Sequence, residues 1–287
     1  MEVSRSLTMN LDDAIQQLRQ DAQHADLVHH AYLGADIEDS RQRFIVSDEF
    51  THTLALLGDA VKGAHVLDVG AGIGIASYGF VKNGASQVFA LEPDTSSLVG
   101  LGTMQNLTLN HPITLLQGFA EAIPLADESV DIVYARQVLH HTFDLDKAIS
   151  EIHRILRPNG IFIACREHVI KNAQELERFL ASHVVHQLAG GENAYRLEEY
   201  LSAITKSGLQ IEQVLATFDS VINYFPRDKD QLKDAKLRQL INNYGAWVKR
   251  LHRFPLLQNL MLEYGNVSYP GNMYSFMAVK NDDTSEH

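Results

Sequence analysis

The residues best suited to chemistry form one run, Asp68-Val69-Gly70-Ala71-Gly72-Ile73-Gly74. An apolar segment, His65–Val69, leads into it, and a helical pattern follows to residue 82. Glycine at three alternate positions permits a tight turn and lets a ligand approach the backbone with no Cβ in the way. The start of the following helix offers free N–H groups to a negatively charged group. The dinucleotide fingerprint Gly-x-Gly-x-x-Gly does not fit. Counted from Gly70 its third glycine falls on Ile75, and counted from Gly72 it falls on Ser77. A nicotinamide oxidoreductase is therefore excluded by spacing. A second acidic residue, Glu92, follows in Leu91-Glu92-Pro93-Asp94. The bland alternatives are a turn-capping role for Asp68 and a surface position for Glu92.

Histidine supplies the second chemistry, since it titrates near neutral pH and can act as a general base. The chain has 14. His140 and His141 follow one strand pattern, and His168 follows another in Arg166-Glu167-His168. His183 and His186 are three apart and so share one helix face. His29 and His30 are adjacent and do not converge. For His183 and His186 a metal site completed by an Asp or Glu is the alternative to a solvated helix face; the solvated face is the expectation, and no metal site is expected.

These residues need a scaffold that gathers strand ends. Strand patterns occur at 65–69, 87–91, 113–117, 130–135 and 161–164, with helices at about 74–82, 95–109 and 145–156. Such alternation predicts a parallel sheet covered by helices on both faces. Arg157-Pro158-Asn159-Gly160 reads as a turn. Helical spacing also marks about 10–30 and 47–61, with a polar loop at 34–43 between them. Further helices are predicted at 173–188 and 197–207, and the last strands at 209–218 and 272–279. About fifty residues separate those two strands, far more than a hairpin needs. Much of this insertion, 228–264, reads as helix with Leu232, Leu237, Leu240, Ile241 and Tyr244 on one face, and Pro255 breaks or starts a helix. It is a cap over a site, or an extra helical layer or oligomer surface.

The run from Asp68 to Gly74 resembles the first motif of class I S-adenosylmethionine-dependent methyltransferases. The segments Asp127-Glu128-Ser129-Val130-Asp131-Ile132-Val133-Tyr134, Leu139-His140-His141 and Ile152-His153-Arg154-Ile155-Leu156-Arg157-Pro158-Asn159-Gly160 are similar to the ubiquinone/menaquinone-biosynthesis-type (methyltransferase type 11) subgroup. The match covers about residues 62–165. The resemblance implies S-adenosylmethionine as cofactor. Its ammonium and sulfonium would lie near Asp68, and the backbone at Gly70, Ala71, Gly72 and Gly74 would border it. Glu92, with Pro93 beside it, would accept from two vicinal ribose hydroxyls. Gly118-Phe119-Ala120 would line the adenine. Phe119 stands where the subgroup has an aspartate that bonds the adenine amino group, so it packs on the ring or faces the core. The backbone N–H of Ala120 and Arg136, at the fourth strand's end, complete the cofactor set.

Methyl transfer from a sulfonium needs positioning and exclusion of water, and a base only for a hydroxyl or protonated amine acceptor. His168 is the preferred base, with His141 second; His140 is read as structural. Arg166 and Tyr195 are candidate acceptor contacts, each with packing as its alternative. The insertion's Tyr224, Phe225, Tyr244, Trp247 and Phe254 either meet an apolar part of the acceptor or pack the cap to the core.

The composition agrees. The chain has 287 residues, is 45% hydrophobic, and carries 24 basic against 36 acidic residues for a net charge of −12. A surface that negative repels phosphate backbones, so nucleic acid is not the expected partner. Cys165 is the single cysteine, which excludes an intrachain disulfide and a cysteine-based zinc cluster. No apolar run reaches the length of a membrane span, and residues 1–11 lack a secretory pattern. The expectation is a cytoplasmic enzyme with a Rossmann-like α/β fold: a seven-stranded, mostly parallel class I methyltransferase sheet with its last strand antiparallel, helices on both faces and an added helical cap. Residues 1–61 form an N-terminal helical cover, 62–219 and 271–280 the cofactor-binding domain, and 220–270 the cap insertion. It would transfer a methyl group to O, N or C of a small-molecule acceptor. The alternatives are a non-catalytic S-adenosylmethionine-binding regulator and a protein methyltransferase.

Overall fold

The computed structural model describes residues 10–254, 256 and 272–282. The chain opens with α1 (Leu11–Gln20), α2 (Ala25–His30), α3 (Ile37–Ile45) and α4 (Asp48–Leu57). The alternating part follows: β1 (His65–Val69), α5 (Ile75–Lys82), β2 (Gln87–Glu92), α6 (Gln105–Asn110), β3 (Ile113–Gln117), β4 (Val130–Arg136), α7 (Leu145–Ile155) and β5 (Leu156–Ile170). Then come α8 (Ala173–Ser182), α9 (Val184–Ala189), β6 (Tyr195–Arg196), α10 (Leu197–Lys206), β7 (Leu209–Leu215), α11 (Val221–Tyr224), α12 (Lys229–Tyr244) and β8 (Asn272–Lys280).

The strands form one sheet in the order β3-β2-β1-β4-β5-β8-β7, with the two-residue β6 beside β5. The seven long strands are those predicted, and β6 is an eighth. β1 to β5 pair parallel, and β8 runs antiparallel between β5 and β7. The period-2 alternation of strands divides the core in two. Val66, Ile132 and Tyr134 face a layer with Phe44, Phe50 and Phe80. Leu67, Val133 and Ala135 face a layer with Ile149, Ile152, Tyr200 and Phe276. Strands buried on both faces explain the apolar runs in the sequence. The parallel register puts the ends of β1, β2, β4 and β5 on one rim, where Val69, Leu91, Ala135 and Cys165 mark the last paired rungs or lie next to them.

Several predicted boundaries change, each for a local reason. The expected loop at 34–43 contains α3. Asp36 accepts the N–H of Asp39 as its N-cap, and Phe44 is fully buried on its inner face. The expected helix at 95–109 is helical only from residue 101, with irregular chain up to Gly100 and a 3₁₀ segment at Leu101–Met104 before α6. Asp94 accepts from Ser96 N, and Ser96 Oγ accepts from Leu98 N and Val99 N, so side chains satisfy the backbone in place of helical bonds. The helix expected over 10–30 is interrupted at Asp21, whose carboxylate accepts from Gln23 N. The helix expected over 173–188 breaks at His183. The predicted turn at 157–160 is a kink inside β5, where Asn159 has φ 63°. The described part of the insertion holds α11, α12 and a 3₁₀ segment at Ala246–Arg253. Pro255 and residues 257–271 lie outside the described residues.

Candidate active site

The glycine-rich turn connects β1 to α5. Gly70, Gly72 and Gly74 have φ of 67°, 52° and 77°, a region that side chains disfavour. A Cβ on Gly70 would stand 2.5 Å from Val138 Cγ2, so space as well as conformation calls for glycine there. The N–H groups of Gly70 and Ala71 donate to Leu91 O, that of Gly74 to Ala71 O, and that of Gly72 to Glu92 Oε2 at 2.9 Å. These four donors of the turn are thus satisfied within the protein. This is a poor cradle for a phosphate and suits a ligand without one.

Two carboxylates flank this turn. Asp68 is buried and accepts from Ser77 Oγ at 2.6 Å. Burial pushes its carboxyl up to about 7, against the pull of the bonds from Ser77. A cationic ligand group beside it would favour the ionised form. Glu92 accepts from Gly72 N and, through Oε1, from Asp94 N at 3.0 Å. Burial raises its carboxyl as well, opposed by those two backbone donors. Each oxygen retains acceptor capacity.

Beside the turn lies a mainly apolar slot of about 170 Å³ lined by Gly70, Pro93, Phe119, Ala120, Val138 and His141 among others. Phe119 is 54% exposed and tilts toward exposed Phe143, with ring centroids 6.3 Å apart. Of the two alternatives for Phe119, facing the core is overturned and an exposed ring face at the slot is found. Pro93, Phe119 and Ala120 therefore gather with Gly70 and Glu92 at the rim.

Arg136 does not join them. It leaves β4 on the other side and forms a two-bonded pair with fully buried Glu49 of α4, at 2.5 and 3.0 Å. Its guanidinium lies over Tyr32 and Phe44. The buried Glu49 carboxyl is raised by burial, but Arg136 and Arg166 more than reverse this and hold it low. Arg136 thus anchors the N-terminal helices to the sheet and is withdrawn from the cofactor set.

The histidines also sort differently from expectation. His168 is buried, with its ring 4.6 Å from that of Phe179 and 4.7 Å from that of His140. Burial drives it well below the ordinary imidazole range, and its Nδ1 has no hydrogen-bond partner. It does not line the slot. His141 does, and burial lowers it too, with His140 adding to the effect. His140 is buried and bonds Glu167, in line with a structural role. His183 and His186 do not share a helix: His183 precedes α9 and accepts from His186 N. Tyr195 donates its hydroxyl to Thr142 O, and Arg166 donates to the carbonyls of Ile222 and Phe225. Glu49, Glu167 and Glu192 are structurally prominent here, and none carried a motif. Glu167 had one signal, its place between Arg166 and His168 at a strand end.

A second cavity, of about 560 Å³, opens between α2, the end of β5 and the insertion, with His30, Arg166, Tyr224, Phe225 and Met273 in its wall. Tyr224 and Phe225 therefore face a cavity. Trp247 and Phe254 are exposed and do not line it, and the side chain of Tyr244 lies outside the described residues.

Residues 67–164 match a family described as "Methyltransferase domain". The chain is 29% identical over 163 residues to a ubiquinone biosynthesis O-methyltransferase of Rhizobium etli, covering 55% of this chain and 64% of that protein. It is 31% identical over 139 residues to a ubiquinone/menaquinone biosynthesis C-methyltransferase of Pseudoalteromonas translucida, covering 47% and 55% respectively. The chain thus spans a little over half to just under two thirds of the length of these relatives. Among solved structures, a putative sarcosine dimethylglycine methyltransferase from Galdieria sulphuraria superposes with a TM-score of 0.57 at 19% identity, covering 94% of this chain and 99% of that one. That likeness shows the fold. Among the described residues no helix is long and apolar enough to cross a membrane.

Proposed function

We propose that this chain, whose residues 67–164 match the methyltransferase-domain family, uses S-adenosylmethionine to transfer a methyl group to O, N or C of a small-molecule acceptor. The observation that carries the reading is the rim itself. A glycine turn with internally bonded N–H groups lies between the buried Asp68 and the half-buried Glu92 and beside an apolar slot. These residues fit a ligand with a cationic centre, vicinal hydroxyls and a flat ring.

When bound, the cofactor supplies a methyl group already activated on a sulfonium. The chain's own contribution is then largely positioning. Asp68 balances positive charge near the turn. Glu92 accepts from vicinal hydroxyls while fixing the turn through Gly72. Phe119 offers its exposed face to the ring, in place of a polar contact to the amino group. The 560 Å³ cavity walled by Tyr224, Phe225 and Arg166 is the acceptor chamber, where described residues of the N-terminal cover (His30) and of the cap insertion (Leu232) meet the cofactor domain. Its mixed wall fits an acceptor with both an apolar and an anionic or hydroxylated part. His141, which borders the slot, replaces His168 as the histidine nearest the reacting groups.

Incubation with methyl-labelled cofactor and a size-fractionated cell extract tests this. Label in the small-molecule fraction is expected. Label on protein would favour protein methylation instead. Cofactor binding in a calorimeter with no labelled product in any fraction would identify a non-catalytic binding protein.

A further inference from the structure

Beside the slot, the side chains of His140, His141 and Glu192 face one another. His140 Nδ1 lies 2.7 Å from Glu167 Oε2, and His141 Nδ1 lies 3.1 Å from Gly191 O. A carboxylate and a carbonyl only accept, so each Nδ1 carries the hydrogen, and in the neutral ring each Nε2 presents a lone pair. Both Nε2 atoms lie 3.7 Å from the same atom, Glu192 Oε2. That distance is too long for a hydrogen bond. Glu192 is nine-tenths buried, and its Oε2 has no hydrogen-bond partner. Two lone pairs and a carboxylate oxygen converging on one point repel unless a cation lies among them.

We propose that His140, His141 and Glu192 bind a divalent first-row transition ion of the zinc class. The three ligand atoms all lie within 4.8 Å of one another. Metal–ligand bonds of about 2.0–2.1 Å in a tetrahedral site put ligand atoms about 3.3 Å apart, so the two 3.7 Å His–Glu separations close by a few tenths of an ångström and the widest separation by at most about 1.5 Å. Imidazole nitrogen with carboxylate oxygen is a donor set for zinc, iron or nickel rather than for calcium or magnesium. Glu167 and the Gly191 carbonyl are the outer partners that fix tautomer and ring direction in metal-bound histidines. Glu167 also accepts from the N–H groups of Val138 and His140, which anchors the ligand-bearing turn to β5. The other Glu192 oxygen lies 3.6 Å from His183 Nδ1.

His141 borders the slot as well, so the ion would sit at its edge with a coordination position left for an oxygen. That use of the open position rests on the methyl-transfer reading; the binding of the ion does not.

The test is a titration of chelator-stripped protein with Co2+, followed by its visible spectrum, and with Zn2+ in a calorimeter. One ion per chain is expected, with the intense d–d bands of a low-coordinate cobalt site. Glu192→Gln, which keeps the side chain's shape, and His141→Ala should each weaken binding by well over tenfold. His52→Ala, which removes an exposed histidine elsewhere, should leave it unchanged. Zn2+ should raise the melting temperature of the wild type but not of Glu192→Gln. A featureless cobalt spectrum, or equal affinity in wild type and Glu192→Gln, would overturn the proposal. These readouts need no methyl transfer, so they stand or fall apart from the proposed activity.

Discussion

The two sides of the sheet at its carboxyl rim are organised by opposite means. Over β1 and β2 the site comes from consecutive residues: Asp68, the three glycines and, one strand away, Glu92, which reaches back to Gly72. Over β4 and β5 it comes from distant segments. Glu49 of α4 meets Arg136 and Arg166, and Glu167 meets His140, with Glu192 arriving from the loop before β6. The first half holds its geometry by backbone conformation and local hydrogen bonds. The second holds it by buried charges whose partners are far apart in sequence. Local geometry should therefore govern ligand affinity, and the long-range pairs should govern whether the fold assembles.

Glu49→Gln should separate these roles most sharply. It leaves Arg136 and Arg166 buried with no full negative charge beside them. Breaking a buried pair this way costs about 3–5 kcal/mol. Urea unfolding should show that loss, while cofactor affinity per folded molecule stays near wild type. A variant that is fully stable but has lost cofactor binding would reverse the comparison. Gly70→Ala should do the opposite. Its methyl meets Val138 at φ 67°, and the displacement costs about 1–3 kcal/mol. Because the turn is what moves, calorimetric affinity should fall by more than stability does.

The same contrast explains what could be read from the sequence. The glycine turn, Glu92 and the strands were legible because each is encoded within a few residues, by spacing or apolar runs. Arg136 was misread because its position at a strand end fits a rim role. Only the fold brings Glu49, 87 residues away, against it. His168 was misread because a strand end does not reveal that Phe179 and His140 enclose the ring. The segment containing α3 looked like a polar loop. Its burial depends on Phe44 entering the core and on Arg41 donating to the carbonyls of Ile73 and Thr103.

The pH dependence of Asp68 tests the local half at one atom. Its carboxyl sits at about 7 in the fold and near 3.8 when unfolded. Between those values the folded chain holds a proton that the unfolded chain has released. Stability from this group therefore declines as pH rises from about 4 to about 7, and is flat above. Binding a cationic ligand calls for the ionised form, so affinity should rise with pH over the upper part of this window, approaching tenfold per unit, and level off above 7. Calorimetry at pH 5.5 to 8 should show that slope in the wild type and its loss in Asp68→Asn. An unchanged slope in Asp68→Asn would move the titration to another group.

The smallest effect belongs to Phe119. Its ring is 54% exposed, with the exposed Phe143 ring at 6.3 Å, so little folding stability depends on it. If it stacks on the cofactor's ring, Phe119→Ala should weaken binding by about 1 kcal/mol, the low end for a base on an aromatic side chain. The melting temperature without ligand should not move. Phe119→Tyr keeps the π face and should restore affinity, whereas Phe119→Leu keeps apolar area without it and should not. Equal affinity for the leucine and tyrosine variants would reduce Phe119 to a hydrophobic wall of the slot. Ring recognition would then rest on the backbone around Ala120.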